Sequence, residues 1–174
     1  MLWRLLNPIT TPIQSEISSL ILKLPAFGFP FNEWNRRSKY VKFRQIKLEE
    51  WRTTVKLELE RAGIRLRVVG EKIYKKKGKF QGYPIYKASH KLITPIRITS
   101  VFFYNNEKIR DIDGEQPFSK YTIDSLVRFG LLPGDDLRYV RFVGYEFGGY
   151  LGKESVEKEP YVMVLISGAG NANV

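Results

Sequence analysis

Acidic residues recur at short spacings in the second half of this 174-residue chain. Asp111 and Asp113 form an Asp-x-Asp pair, Lys120 and Asp124 follow, and Asp135–Asp136 form a second acidic pair. Hard divalent cations such as Mg²⁺ take oxygen ligands and keep several waters, so a few carboxylates are enough to hold them. The spacing predicts a metal site assembled from the end of a strand, a helix and the start of a second strand.

Charge is unevenly distributed around this acidic stretch. Residues 1–100 contain 21 Lys and Arg against 7 Asp and Glu, whereas residues 101–174 contain 8 against 11. The net charge of the chain is +11. A carboxylate cluster in a basic protein indicates metal-assisted chemistry on a polyanion, and nucleic acid is favoured because aromatic residues are interleaved with the basic ones. The alternative is that the positive charge serves only solubility.

The segment Glu71–Leu92 mixes lysines with tyrosines and a phenylalanine, and it has glycines at turn-like positions. We interpret it as a hairpin or a mobile flap, in which lysines contact phosphates and aromatic rings stack on bases or pack on the core. A lysine-rich loop that is merely solvated is an equally good interpretation. The candidate nucleic-acid contacts of the whole chain are Arg36, Arg37, Lys75, Lys76, Lys77, Lys79 and Arg110.

Composition excludes several classes of site. The chain has no cysteine and a single histidine, His90. This rules out disulfides, thiol nucleophiles, Cys-ligated zinc and iron–sulfur clusters, and also a His-rich metal site. We expect His90 to be a surface or half-buried residue. No apolar run reaches the ~18 residues of a membrane-spanning helix, and we expect no signal peptide at the N-terminus.

Hydrophobic periodicity predicts an α+β domain with two layers, in which two helices pack on one face of a mixed β-sheet. Residues 17–167 form this domain, with a basic insertion at about residues 70–93, an N-terminal arm at residues 1–16 and a flexible tail at residues 168–174. The predicted helices are Lys47–Ala62 and Ser119–Phe129. The principal predicted strands are Ile17–Leu24, Ile64–Val68, Pro95–Tyr104, Leu137–Phe147 and Tyr161–Ser167.

The acidic stretch resembles a known motif. Arg110–Asp113, then Lys120 and Asp124, then Gly130 and Asp135–Asp136 are similar in order to the signature of the RusA-type Holliday junction resolvases. The resemblance covers about residues 19–167 and excludes the arm and the lysine-rich insertion. Upstream it includes Leu24–Pro25, Pro30, Asn32, Trp51–Arg52 and Val55.

The resemblance implies a homodimeric, Mg²⁺-dependent endodeoxyribonuclease, with Mn²⁺ as the alternative ion, that cuts four-way junctions or other branched DNA. Carried over position by position, Asp111, Asp113 and Asp136 would be the metal-binding and catalytic aspartates. Lys120 would be the catalytic lysine. The resemblance also implies a cytoplasmic protein of prokaryotic or viral origin, with no membrane partner.

Two positions depart from the family pattern. Gly114 stands where the family has an Asn, and the spacing from Asp113 to Lys120 is longer than is usual. The chain has one residue more than the family before Asp135–Asp136. The alignment therefore leaves open which of these two matches the family's third metal-binding aspartate. The alternative hypothesis is a catalytically inactive DNA-binding protein with the same fold. An RNA-binding module would explain the basic insertion but not the acidic cluster.

Overall fold

A computed structural model of the chain describes residues 14–26, 41–76, 79–105 and 116–168. Within these ranges the side chains are described as well, except at residues 41–47, 74–81 and 116–117. In these residues there are two helices and eight strands. In chain order they are β1 Ser15–Ile17, β2 Ser19–Pro25, α1 Val41–Arg61, β3 Leu66–Lys76, β4 Lys79–Ala88, β5 His90–Leu92, β6 Ile96–Tyr104, α2 Gln116–Arg128, β7 Val140–Tyr150 and β8 Tyr161–Gly168.

The largest sheet has four strands in the order β2-β8-β6-β7. Strand β8 is antiparallel to both of its neighbours, β2 and β6, whereas β6 and β7 are parallel. Helix α2 connects these two parallel strands, as a crossover connection requires. The sheet is therefore mixed, and the predicted α+β class is confirmed.

The core lies on one face of this sheet. Ile96, Ile98, Ser100 and Phe102 of β6 are buried and share that face, as the alternation in the sequence predicted. Phe118 of α2 packs edge-to-face against Phe102 at 5.5 Å between ring centroids, and against Trp51 of α1 at 5.2 Å. One aromatic ring thus joins both helices to the sheet.

Small polar residues bring α2 close to the sheet. Ser119, Thr122 and Ser125 are all buried, and a hydrogen bond of 2.8 Å joins the hydroxyls of Ser119 and Ser100. Thr122 and Ser125 donate to the carbonyls four residues earlier in the helix. These hydroxyls are therefore satisfied inside the core without a bulky side chain.

A long hairpin is formed by β3 and β4, which is the first of the two forms predicted for the lysine-rich segment, although it spans Leu66–Ala88 instead of Glu71–Leu92. Strands β3 and β4 pair antiparallel from Leu66↔Ala88 to Lys76↔Lys79, with an irregularity in register after Val68. The base of the hairpin is held by Tyr86, whose ring meets Phe129 edge-to-face at 5.2 Å. A third, two-stranded sheet pairs β1 with β5 in parallel.

Several element boundaries differ from the predictions. The first predicted strand is divided at Ser18, and its first part joins β5 instead of the main sheet. Strand β7 begins at Val140, because residues 135–139 form a turn, and it continues through Gly148 and Gly149 to Tyr150. Residues 1–13 of the predicted arm and 169–174 of the predicted tail lie outside the described residues. Among the described residues, no helix has the length and apolar character to cross a membrane.

Candidate functional site

The first two predicted ligands, Asp111 and Asp113, lie outside the described residues, as do Arg110 and Gly114. The structure describes the two ends of the segment that carries them. Asn105 follows the last residue of β6, and Gln116 is the first residue of α2. The order strand, acidic segment, helix matches the order that the sequence predicted.

The predicted catalytic lysine lies on the outer side of α2. Lys120 Nζ is 3.6 Å from Asp124 Oδ1, one helical turn further along, and the Lys120 side chain is 66 % exposed. The neighbouring Ser119 points the other way, into the core, where it bonds Ser100. The register of the helix is thereby fixed, so the amine of Lys120 faces solvent near the start of α2 and can meet a phosphate.

Helix α2 ends because Gly130 adopts a left-handed conformation with φ of +76°. Its N–H donates to the Val127 carbonyl, while Leu131 N–H donates to Leu126 O. A Cβ at position 130 would lie 3.2 Å from the carbonyl oxygen of Tyr86 in the hairpin. The glycine of the motif therefore has two structural reasons to be there: the backbone angle and the close approach of β4.

The second acidic pair precedes β7 in a tight turn. The carbonyl of Asp136 accepts hydrogen bonds from Tyr139 N–H and Val140 N–H. Its carboxylate accepts three more from Arg138, through the backbone N–H and Nε to Oδ1, both at 2.9 Å, and through Nη2 to Oδ2 at 2.7 Å. These side-chain and backbone hydrogen bonds lower the pKa of Asp136 from 3.8 to about 2. Asp136 is therefore fully ionised at neutral pH, as a metal ligand must be, but it already has a cationic partner.

Asp136 lies near the start of β6, whereas the described chain ends at Asn105, after the other end of that strand. Because β6 and β7 are parallel, the turn before β7 lies beside the start of β6, where Ile96 N–H donates to Tyr139 O. The chain enters the segment of Asp111 and Asp113 from the other end of β6, after Tyr104. Nine residues of strand separate these two ends by about 26 Å.

No group of three Asp, Glu or His side chains comes together among residues 14–26, 41–76, 79–105 and 116–168. Since two of the three predicted ligands fall outside those ranges, the three-aspartate site stays a prediction. The structure does bring Asp136 and Arg138 together, and it brings Lys120 and Asp124 together.

The candidate nucleic-acid contacts are divided between described and undescribed parts of the chain. Lys75 and Lys76 lie on β3 and Lys79 lies on β4, so the lysine run occupies the tip of the hairpin. Arg36, Arg37 and Lys77 lie outside the described residues. Further down the hairpin, the Arg128 guanidinium covers the Tyr83 ring at 4.7 Å, which ties the ribbon to the end of α2.

Sequence reasoning missed Arg138. The signal was present as Asp136-x-Arg138, a spacing at which a turn lets a guanidinium fold back on a carboxylate. His90 is half-buried, as predicted, and its Nδ1 is 2.8 Å from the hydroxyl of Ser89.

Comparison with known proteins gives no family for this chain. No protein-family model matches it, and no curated protein is significantly similar to it.

Proposed function

We propose that the chain is a divalent-metal-dependent, structure-specific endodeoxyribonuclease that acts on four-way junctions or other branched DNA, and that it works as a homodimer. The observation that carries this proposal is the match between motif and element boundaries. The acidic segment joins β6 to α2, Lys120 is exposed near the start of α2, Gly130 ends the helix in a left-handed conformation, and Asp136 precedes β7.

The donor set fits a hard cation. Asp111, Asp113 and Asp136 would offer only carboxylate oxygens, the ligands that Mg²⁺ and Mn²⁺ accept. Because the Asp136 turn lies beside the start of β6 and Asn105 follows its other end, residues 106–115 would have to return along that strand for all three carboxylates to meet. With a pKa of about 2, the Asp136 carboxylate is charged at neutral pH. When bound, the ion would supply charge neutralisation at the phosphate and an activated water. Lys120 would contribute positive charge near the phosphate or the leaving oxygen, because its amine is exposed.

The hairpin supports binding of a polyanion. Lys75, Lys76 and Lys79 fall within four positions of its tip, where Lys76 and Lys79 pair directly across the ribbon. A two-stranded ribbon is one of the elements that the major groove of DNA admits. Lysines at this tip would add sequence-independent affinity for the DNA arms.

A second candidate is a DNA-binding protein of the same fold without catalysis. The ion pair between Asp136 and Arg138 favours it, since a carboxylate held by three hydrogen bonds must exchange that partner for a metal ion. Gly114 in place of the expected Asn is a second reason.

The distinguishing experiment incubates the purified chain with end-labelled four-way junctions, linear duplex of the same sequence and single strands. Mg²⁺, Mn²⁺ and a chelator are compared in parallel. The nuclease proposal expects junction-selective cuts that require the ion. Tight junction binding without any cut in either metal would leave the second candidate. Preferential binding of single-stranded or duplex RNA would overturn both.

A further inference from the structure

The two faces of the β3–β4 hairpin differ in charge. Paired positions of an antiparallel ribbon share a face, and successive pairs alternate between the two faces. One face, which we call the basic face, takes the odd-numbered positions 79–89 and the positions paired with them on β3 and just before it. Its charged residues are all basic: Arg65, Arg67, Lys72, Lys76, Lys79 and Lys87. The opposite face has one lysine, Lys75, and one acid, Glu71.

A β-bulge in β3 produces this separation of charge. Val68 pairs with Tyr86 and Gly70 pairs with Ile85, so Val69 is an extra residue on β3. One extra residue moves every later side chain of its strand to the other face. Without the bulge, Glu71 would share a face with Arg67, and Lys72 would share a face with Val68. The bulge therefore places Lys72 on the same face as the arginines and removes the acid from that face.

Side-chain positions agree with this assignment of faces. A Cβ at Gly82 would overlap the Glu71 carboxylate, so Glu71 covers Gly82 on the face opposite the basic one. A Cβ at Gly70 would lie 3.8 Å from Ile85 Cδ1, on the basic face. The only acid in the sequence of the hairpin is therefore directed away from the basic face.

The cations of the basic face have no acid beside them. Among the residues that the structure describes, no carboxylate pairs with four of them: Arg65, Arg67, Lys72 and Lys87. Arg67 and Lys87 are direct cross-strand partners, and like charges in such a pair are destabilising. A face that served only solubility would intersperse both signs of charge. The basic face is therefore suited to an anionic ligand.

We propose that the basic face binds the phosphate backbone of double-stranded DNA along its whole length, from Arg65 and Arg67 at the base to Lys79 at the tip. The strand rises by about 27 Å between Lys87 and Lys79, and one DNA strand carries about eight phosphates over that length. Lys72 lies midway, because it pairs with Tyr83. That the double helix is DNA rests on the proposed function, whereas the contact with phosphates rests on the hairpin alone.

The rest of the chain has too little negative charge to occupy the basic face. Of the segments outside the described residues, 1–13, 27–40, 77–78 and 169–174 have no excess of acids. Residues 106–115 have four acids against two basic residues, an excess of two negative charges. This is small beside the six basic residues of the face. A polyanion from outside the chain has the charge density that matches.

The basic face offers charge more than stacking. The Arg128 guanidinium lies over the Tyr83 ring, 4.7 Å from its centroid, so the protein's own cation covers one side of that ring. Proteins that bind single strands present aromatic rings on which successive bases stack. The regular backbone of a double helix therefore fits this face better than the bases of a single strand do.

Fluorescence anisotropy on a linear DNA duplex, with a chelator present, tests the inference without cleavage. Arg67→Ala/Lys87→Ala should lower the magnitude of the log–log slope of affinity against salt by up to about 1.8, at roughly 0.9 for each phosphate contact. Arg97→Ala/Lys153→Ala removes the same charge from exposed positions outside the hairpin and should leave the slope unchanged.

A matched pair of additions separates the two faces. Ile85→Lys adds a cation on the basic face and Ile73→Lys adds one on the opposite face, and the two isoleucines are 43 % and 63 % exposed. Ile85→Lys should raise the magnitude of the slope by about 0.9 and tighten binding, whereas Ile73→Lys should do neither. Thermal unfolding shows that each variant is folded before its binding is interpreted.

An unchanged slope in Arg67→Ala/Lys87→Ala would overturn the inference, and equal effects of Ile85→Lys and Ile73→Lys would overturn the one-sided contact. Tighter binding of single strands or of duplex RNA would overturn double-stranded DNA as the ligand. All of these measurements are made without metal. Failure of junction cleavage and failure of this inference are therefore separate results.

Discussion

The Asp136 carboxylate and the Arg138 guanidinium form a two-point ion pair, with Nε donating to Oδ1 at 2.9 Å and Nη2 to Oδ2 at 2.7 Å. Bidentate pairs of this kind are among the stronger charge-assisted hydrogen bonds. The pair closes the turn that leads into β7. It also gives the third predicted metal ligand a resident cation, so any metal at Asp136 competes with Arg138.

Removing Arg138 should change the titration of Asp136. In Arg138→Ala, the pKa of Asp136 should rise from about 2 toward 3.8, because the hydrogen bonds that favour its ionised form are gone. The native carboxylate stabilises the fold above about pH 4, and this contribution is lost as the pH falls toward 2. The measurement is an NMR titration of the Asp136 side-chain carbon. Arg141→Ala is the control and should leave the pKa low; a parent value near 3.8 would contradict the pairing.

Asp136 should matter more to activity than Asp135. We expect Asp136→Asn to lower cleavage by more than about a hundredfold, because losing a ligand exceeds the 10–100-fold cost of losing a residue that supports one. Asp135→Asn should cost less than about fivefold, as exposed charges are worth under ~1 kcal/mol. The measurement is the single-turnover cleavage rate as a function of Mn²⁺ concentration. The reverse ranking would move the ligand to Asp135.

In the same assay, Arg138→Ala separates the proposed metal-binding role of Asp136 from its role in the turn before β7. It removes the ion pair but keeps the carboxylate, so activity should survive and less Mn²⁺ should be needed. Equal losses in Arg138→Ala and Asp136→Asn would mean that Asp136 serves only the turn.

Two glycines that end helices offer a matched test of packing against β4. Gly63 has φ of +80° with no atom within 4 Å of an added Cβ, whereas Gly130 has φ of +76° and the Tyr86 carbonyl at 3.2 Å. Gly63→Ala should cost about 1–2 kcal/mol for the left-handed backbone alone. Gly130→Ala should cost more, because the hairpin must also move. Urea unfolding measures the free energy of unfolding of both variants. Equal losses would show that β4 can move away from position 130 without a penalty in stability.

The lysines of the hairpin should govern the salt dependence of DNA binding. Each phosphate contact adds roughly 0.9 to the magnitude of the log–log slope of affinity against salt, so replacing Lys75, Lys76, Lys77 and Lys79 with Ala should lower it by up to about 3.6. The slope is measured by fluorescence anisotropy on a duplex between about 50 and 200 mM salt. Lys153→Ala/Lys158→Ala, away from the hairpin, should leave it unchanged. An unaltered slope in the fourfold variant would make the run a solvated loop.

Much of the fold could be predicted because the periodicity of hydrophobic residues in its strands and helices is visible in the sequence. The alternation in Pro95–Tyr104 gave both the strand and its buried face, and Ile123 and Leu126 are buried on the helical face that the spacing indicates. Strand partners could not be predicted, since periodicity tells which face is buried but not which strand lies alongside. The parallel pairing of β6 and β7 therefore appears only in the structure, and with it the position of Asp136.

Local boundaries failed where turn chemistry overrode apolar character. Leu137 looked like the start of a strand, yet it is 81 % exposed because the Asp136 turn continues to Tyr139. Gly148 looked like a strand end, but its missing side chain instead makes room for Phe103 within a continuing strand. Asp111 and Asp113, the centre of the predicted site, lie outside the described residues, so the metal site stays a prediction from sequence.

The proposed nuclease needs Asp111 and Asp113 to hold the ion with which it would cut branched DNA. The most direct measurement compares parent, Asp111→Asn and Asp113→Asn on a labelled four-way junction in Mg²⁺ and Mn²⁺, with binding measured in parallel by gel shift. We expect both variants to bind the junction as the parent does and to fail to cut it, because the proposed phosphate contacts lie on the basic part of the chain. Cleavage by either variant at the parent rate would contradict it.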